Sequence, residues 1–145
     1  MRKSIITIVT ALLLTAPLRA EGELHRYGLV QLPHPVGKLA AEPERFQLTP
    51  EQQEGVEAIV AEVPARMHAM LEEAKEKEEA IRRAVLDGGD NPDSLDRSLE
   101  ELAELKRRIS VFHVEALSRL RGVLTPDQFR AVTGHEQMSF ETLKN

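Results

Sequence analysis

Residues 49–86, TPEQQEGVEAIVAEVPARMHAMLEEAKEKEEAIRRAVL, decide the architecture. The stretch opens Thr49-Pro50-Glu51-Gln52, which reads as a capping box. Thr49 is the N-cap, Pro50 fills N1, where a missing amide proton costs nothing, and Gln52 at N3 reaches back to the Thr49 amide. Apolar residues then recur three and four apart: Val56, Ile59, Val60, Val63, Met67, Met70, Leu71, Ala74, Ile81 and Val85. That spacing is one face of a helix. The other face is charged in helical register, with Glu62–Arg66, Glu73–Lys77, Glu78–Arg82 and Glu79–Arg83 as i,i+4 pairs, acid first. Each pair stabilises a helix by about 0.2–0.5 kcal/mol. Pro64 removes one hydrogen bond from the middle of the run. The apolar phase continues across it, so one bent helix is expected rather than two.

Working outward, Asp87-Gly88-Gly89-Asp90-Asn91-Pro92 stops this helix and opens the next, with Asn91 as N-cap and Pro92 at N1. A second stripe follows to about Val123: Leu95, Leu99, Leu102, Leu105, Ile109, Phe112, Ala116, Leu117, Leu120 and Val123. Its i,i+4 pairs are Asp93–Arg97, Glu104–Arg108 and Glu115–Arg119. Thr125-Pro126-Asp127-Gln128 repeats the capping box and starts a short helix to about Thr133, which Gly134 can end. Upstream, residues 21–47 hold three prolines and three glycines, which leaves room for a short helix over Val36–Arg45 and no more. The fold expected is all-α: an elongated antiparallel hairpin of two long helices with short flanking helices. At about 1.5 Å per residue the first helix spans roughly 54 Å. One apolar stripe per helix is too little to make a round core, so a homodimer is expected.

The first twenty residues belong to a different class. Arg2 and Lys3 precede an apolar run, Ile5 to Ala16, too short to span a bilayer, and Ala20 precedes an abrupt polar shift at Glu21. This is the layout of a secretory signal peptide cleaved after Ala20, although Leu18 is large for its position; an uncleaved anchor is the alternative. Cleavage removes Arg2, Lys3 and Arg19 and leaves 24 acids against 16 bases. The expectation is an exported protein, periplasmic in a cell with two membranes. It is divided into a signal peptide (1–20), an irregular segment (21–47), a helical hairpin domain (48–133) and a fraying tail (134–145).

Composition excludes several functions. The acidic balance argues against nucleic acid as the main partner, because phosphate binding needs a basic face. With no Cys there is no thiol nucleophile, iron–sulfur cluster or thiolate zinc site. Five aromatics leave little for a stacking pocket. Ser94, Ser98, Ser110, Ser118 and Ser139 lie in helices or the tail, not in a strained elbow, and no glycine-rich phosphate loop is present. The chain reads as a non-enzyme that needs no cofactor.

The repeated elements Leu48-Thr49-Pro50-Glu51-Gln52 and Leu124-Thr125-Pro126-Asp127-Gln128, with Phe129 after the second, resemble the paired L-T-x-x-Q motifs of the Spy/CpxP family of small periplasmic proteins. That family includes zinc-resistance-associated and heavy-metal-sensor members. The resemblance covers about residues 30 to 133. It implies a hooked helical hairpin that dimerises into a curved cradle. It further implies ATP-independent chaperone activity on unfolded or stressed envelope proteins in some members and metal binding in others; a third reading of the chain is a structural or inhibitory partner for a membrane sensor kinase. The chain departs from the family in its net acidity. Its basic clusters are Arg82–Arg83 and Lys106–Arg107–Arg108, and Ala116 stands where a metal sensor's helix histidine is expected, with His113 one turn earlier.

Two sets of candidate site residues follow. In an antiparallel hairpin turning near Gly89, His68 and His113 fall within about one turn of each other, flanked by Met67, Met70 and Glu115. Imidazole with thioether suits Cu, and imidazole with carboxylate suits Zn or Ni. Two separate histidines remain the plainer alternative, and His34, between two prolines, is a further ligand whose place the sequence does not fix. For client contact, the candidates are Val63, Met67, Met70, Phe112 and Leu120, since a flexible apolar surface repacks around different partners. Thr49, Gln52, Thr125 and Gln128 are read as helix-capping residues.

Overall fold

Between residues 35 and 134, every helical element opens on a proline. Helix α1 is Pro35–Ala41, a 3₁₀ turn is Pro43–Phe46, α2 is Pro50–Leu86, α3 is Pro92–Val123 and α4 is Pro126–Thr133. Proline's fixed φ suits the first helical position, and its missing N–H is one that a helix start could not pair anyway. The computed structural model describes residues 26–134. The expected signal peptide, His25 and the segment from His135 onward lie outside them. Among the described residues the protein is all-helical, with no strand. No helix among them is long and apolar enough to cross a membrane. The short helix expected over Val36–Arg45 is present as a helix followed by a 3₁₀ turn. The helix starts at Pro35, and the 3₁₀ turn ends at Gln47 in the left-handed region, φ 49°.

The break between α2 and α3 follows from its glycines. Gly89 adopts φ +70°, and the Asp90 amide turns back to the Ala84 carbonyl at 3.1 Å. A Cβ on Gly88 would lie 2.8 Å from that carbonyl oxygen. Asn91 then caps α3 as expected: its Oδ1 accepts from the amides of Asp93 and Ser94, and the Asn91 amide donates to Ser94 Oγ. Helix α2 runs through Pro64 as one element. The proline has no amide to offer the Val60 carbonyl one turn back.

The chain forms two units, whose boundaries fall at Gln31–Leu32, Pro64–Ala65 and Phe112–His113. The first comprises residues 26–31 and 65–112. Its buried side chains are Tyr27, Met67, Leu71, Ala74, Leu95, Leu105, Ile109 and Phe112. Ion pairs run between its helical segments: Lys77 with Glu101 at 2.9 Å and Arg108 with Glu73 at 3.7 Å. The sequence assigned Lys77 and Arg108 to partners one turn away on their own helices. The long side chains instead reach the other helical segment, an equally short span for a flexible stem. Glu78–Arg82 forms as expected.

The second unit comprises residues 32–64 and 113–134. It buries Leu39 of α1, Phe46 and Leu48 before α2, Val56, Ile59 and Val63 of α2, Ala116 and Leu120 of α3, and Leu124 and Val132 around α4. Gly55 marks its closest packing. A Cβ there would stand 3.0 Å from both methyls of Val123. Arg119 pairs with Glu62 at 2.8 Å, so here too a charge placed locally by sequence bridges α3 and α2.

Candidate functional site

Three groups of residues carry the chemistry that the sequence singled out. The motif residues come together. At the start of α2 the Gln52 amide N–H donates to Thr49 Oγ1 at 3.2 Å, and the Thr49 amide donates to Gln52 Oε1 at 3.0 Å. At the start of α4 the Gln128 amide donates to Thr125 Oγ1 at 3.2 Å, and the Thr125 amide donates to Gln128 Oε1 at 2.9 Å. Both capping boxes are therefore formed, with a buried leucine, Leu48 or Leu124, in front of each. The sequence did not reveal that the two glutamine side chains also bond to each other. Gln52 Nε2 donates to Gln128 Oε1 at 2.8 Å, and Gln128 Nε2 donates to Gln52 Oε1 at 3.2 Å. One signal was available: between the two motifs the acidic residue changes from Glu51 to Asp127, while the glutamine does not.

The second group is histidine. His113 is buried at 7% exposure, and its Nε2 lies 3.0 Å from the Pro33 carbonyl oxygen. The His34 ring stacks on it, centroids 4.4 Å apart and planes 16° from parallel. The histidine that meets His113 is thus His34, whose position the sequence left open. Pro33 and Pro35 on either side of His34 restrict the backbone that delivers it. His68 belongs to the first unit and is exposed on α2. Among the described residues no cluster of three or more His, Asp or Glu side chains is placed to hold a metal ion.

The third group is apolar. Of the client-contact candidates, Val63, Met67, Phe112 and Leu120 are buried within the chain, and Met70 is half-buried. The first four are therefore packing residues rather than open surface. Their stripe faces inward because it is the main apolar face each long helix possesses. Arg66 adds to this packing by placing its guanidinium 4.7 Å from the centre of the Phe112 ring. Among the described residues, the large apolar side chains that do reach solvent are Leu29, Val30, Val85, Leu86, Leu99, Val111 and Val114. Leu86 is the most open at 73%, followed by Leu29 at 61%. Val85 and Leu99 were expected in the inward stripes and lie outside them.

In the first unit, residues 26–31 are held against the long helices. Tyr27 is buried between two cations, Arg26 at 5.6 Å and Lys106 at 5.7 Å from its ring centre. The Leu29 amide donates to Ser110 Oγ at 2.7 Å. Arg26 donates to Glu78 Oε1 at 2.7 Å. Partial burial of Glu78 pushes its carboxyl upward, but the Arg26 hydrogen bond and the charges of Arg26, Lys106 and Arg82 outweigh this and hold it below the usual carboxylate range. The bond to Glu78 raises Arg26 in turn. Lys77 lowers Glu101, and Arg107 lowers Glu104, each chiefly through a hydrogen bond. A shallow groove of about 330 Å³ in this unit is lined by Glu73, Lys77, Glu100, Glu101, Glu104 and Arg108. Two of its four carboxylates pair with its two cations, Glu101 with Lys77 and Glu73 with Arg108, so its lining is net acidic.

Comparison with protein-family models, curated proteins and solved structures found no match to this chain.

Proposed function

We propose that the chain is an exported, ATP-independent chaperone of the cell envelope. On this reading it is an antiparallel helical hairpin with short flanking helices, working as a homodimer in the periplasm and binding unfolded or stressed envelope proteins without catalysis or cofactor. The observation that carries the reading is the pair of L-T-P-x-Q elements, which resemble those of the Spy/CpxP family and sit at the starts of two helices with their glutamines in contact. Because four of the five expected contact residues are buried, client contact passes to exposed residues, with Leu29, Val30, Leu86, Leu99 and Val111 as candidates. Exposed apolar side chains such as the adjacent Leu29 and Val30 would hold a client weakly and reversibly, and charged margins would speed encounter. The test is suppression of aggregation of several unrelated unfolded proteins, without nucleotide and at stoichiometric amounts. Leu86→Glu and Val111→Glu should weaken suppression while helicity is kept. Failure of the unaltered protein on every client, with or without metal, would overturn the reading.

A second reading, a periplasmic heavy-metal sensor or resistance protein, is favoured by one observation: two imidazoles, His34 and His113, in ring contact. Binding of Zn, Ni or Cu to the folded chain alone would raise its melting temperature. On this reading the rise is lost in His113→Ala and in His34→Ala and is kept in His68→Ala.

A further inference from the structure

We propose that Gln52 and Gln128 form a two-way latch, an amide pair that makes the starts of α2 and α4 open and close together and that requires an amide at both positions. A glutamine side chain has two donor protons and two acceptor lone pairs. Here all eight valences of the pair are used. Gln52 Oε1 accepts from the Thr49 amide and from Gln128 Nε2, while Gln52 Nε2 donates to Gln128 Oε1 and, at 3.1 Å, to the carbonyl of Val123, the last residue of α3. Gln128 Oε1 accepts from the Thr125 amide and from Gln52 Nε2. Gln128 Nε2 donates to Gln52 Oε1 and, at 3.0 Å, to the carbonyl of Phe46, with the Gln47 carbonyl at 3.4 Å.

A capping box by itself would accept glutamate as readily as glutamine, and a negative charge would suit the positive end of a helix better. The latch would not accept it. A carboxylate at position 52 has no proton for Val123 or for Gln128 Oε1, and would set two oxygens facing each other at 2.8 Å. A carboxylate at 128 would likewise leave the Phe46 carbonyl without its donor. That carbonyl precedes Gln47, a non-glycine residue held at φ 49°, where the left-handed region is sparsely populated. The pair therefore ties the end of the 3₁₀ turn, the end of α3 and the starts of α2 and α4, across 76 positions of sequence. A residue saturated in this way cannot release one partner without disturbing the others.

The full chain is compared by amide hydrogen exchange with Gln52→Glu, Gln128→Glu and the double variant, and with Thr125→Ala as a purely local loss of a cap. The latch predicts that Gln52→Glu raises exchange at the amides of Gln128 and Phe129 by roughly tenfold, the loss expected from one or two hydrogen bonds. Gln128→Glu should do the same at Gln52 and Gln53, while the double carboxylate variant sets two like charges against each other and should be worse than either. Gln52→Met and Gln128→Met, which keep length and remove the polar groups without adding charge, should show the same reciprocal pattern, and the double methionine variant should be little worse than either single methionine change. Exchange that rises only around position 52 in one variant and only around 128 in the other, with additive effects in the double methionine variant, would overturn the proposal.

Discussion

The unit that contains the turn at residues 87–91 and the unit that contains the two threonine caps are held by different chemistry. In the first, the polar contacts between elements are mostly ion pairs of exposed side chains, such as Lys77–Glu101 and Arg108–Glu73. In the second, the central polar contacts are uncharged, running from threonine and glutamine to backbone and to each other. Exposed ion pairs are worth little and are screened by salt, whereas a saturated neutral network is insensitive to ionic strength and intolerant of single losses. The stability of the first unit therefore rests on its buried side chains, and that of the second rests on side chains and hydrogen bonds together.

This contrast can be broken in three ways. The largest effect belongs to burial. Leu105 is fully buried in the first unit, so Leu105→Ala should cost about 2–5 kcal/mol in chemical denaturation. A cost no greater than that of Leu86→Ala, at an exposed position, would show that the stripe does not hold the unit. Next comes the response to salt. Thr125→Ala should cost about 0.5–2 kcal/mol and Lys77→Ala about 0.2–1 kcal/mol. At 1 M salt the second cost should fall to nearly nothing while the first persists. Equal attenuation of both would erase the distinction drawn here.

The smallest effect is a titration. Because the folded chain holds the Glu78 carboxyl below its ordinary range, its contribution is complete above the unfolded value and is lost as pH falls through the folded one. In Arg26→Ala the Glu78 midpoint, followed by carboxyl carbon NMR, should move upward. An unmoved midpoint would show that residues 26–31 do not dock through this pair.

The long elements were legible because their signals are local. A threonine before a proline, a glutamine three residues on and an apolar residue every third or fourth position fixed the starts of α2 and α4, and Gly88-Gly89 fixed the break after Leu86. What was not legible depends on partners distant in sequence. The Gln52–Gln128 pair and the His34–His113 stack join residues roughly eighty positions apart. Some charge pairs were assigned to the wrong partner for the same reason. Glu73, Lys77 and Arg108 have acceptable partners on their own helix, and only the packed structure shows the competing partner across from them. Helical periodicity placed Val63, Met67, Phe112 and Leu120 correctly on an apolar face, but it could not tell a face turned inward from one left open.

Tyr27 has a practical consequence. It is the single tyrosine of a chain that contains no tryptophan, and it is buried where residues 26–31 meet the long helices. Near-ultraviolet absorption and fluorescence excited in the tyrosine band therefore report on this one location. A fixed ring between two cations gives a circular dichroism band in the tyrosine region, and a freely rotating ring in water does not. The molecule thus carries its own optical probe of segment docking, readable in stopped flow or during client addition without any label. Its signal can be timed against the far-ultraviolet signal of the helices to show whether the segment leaves before they melt.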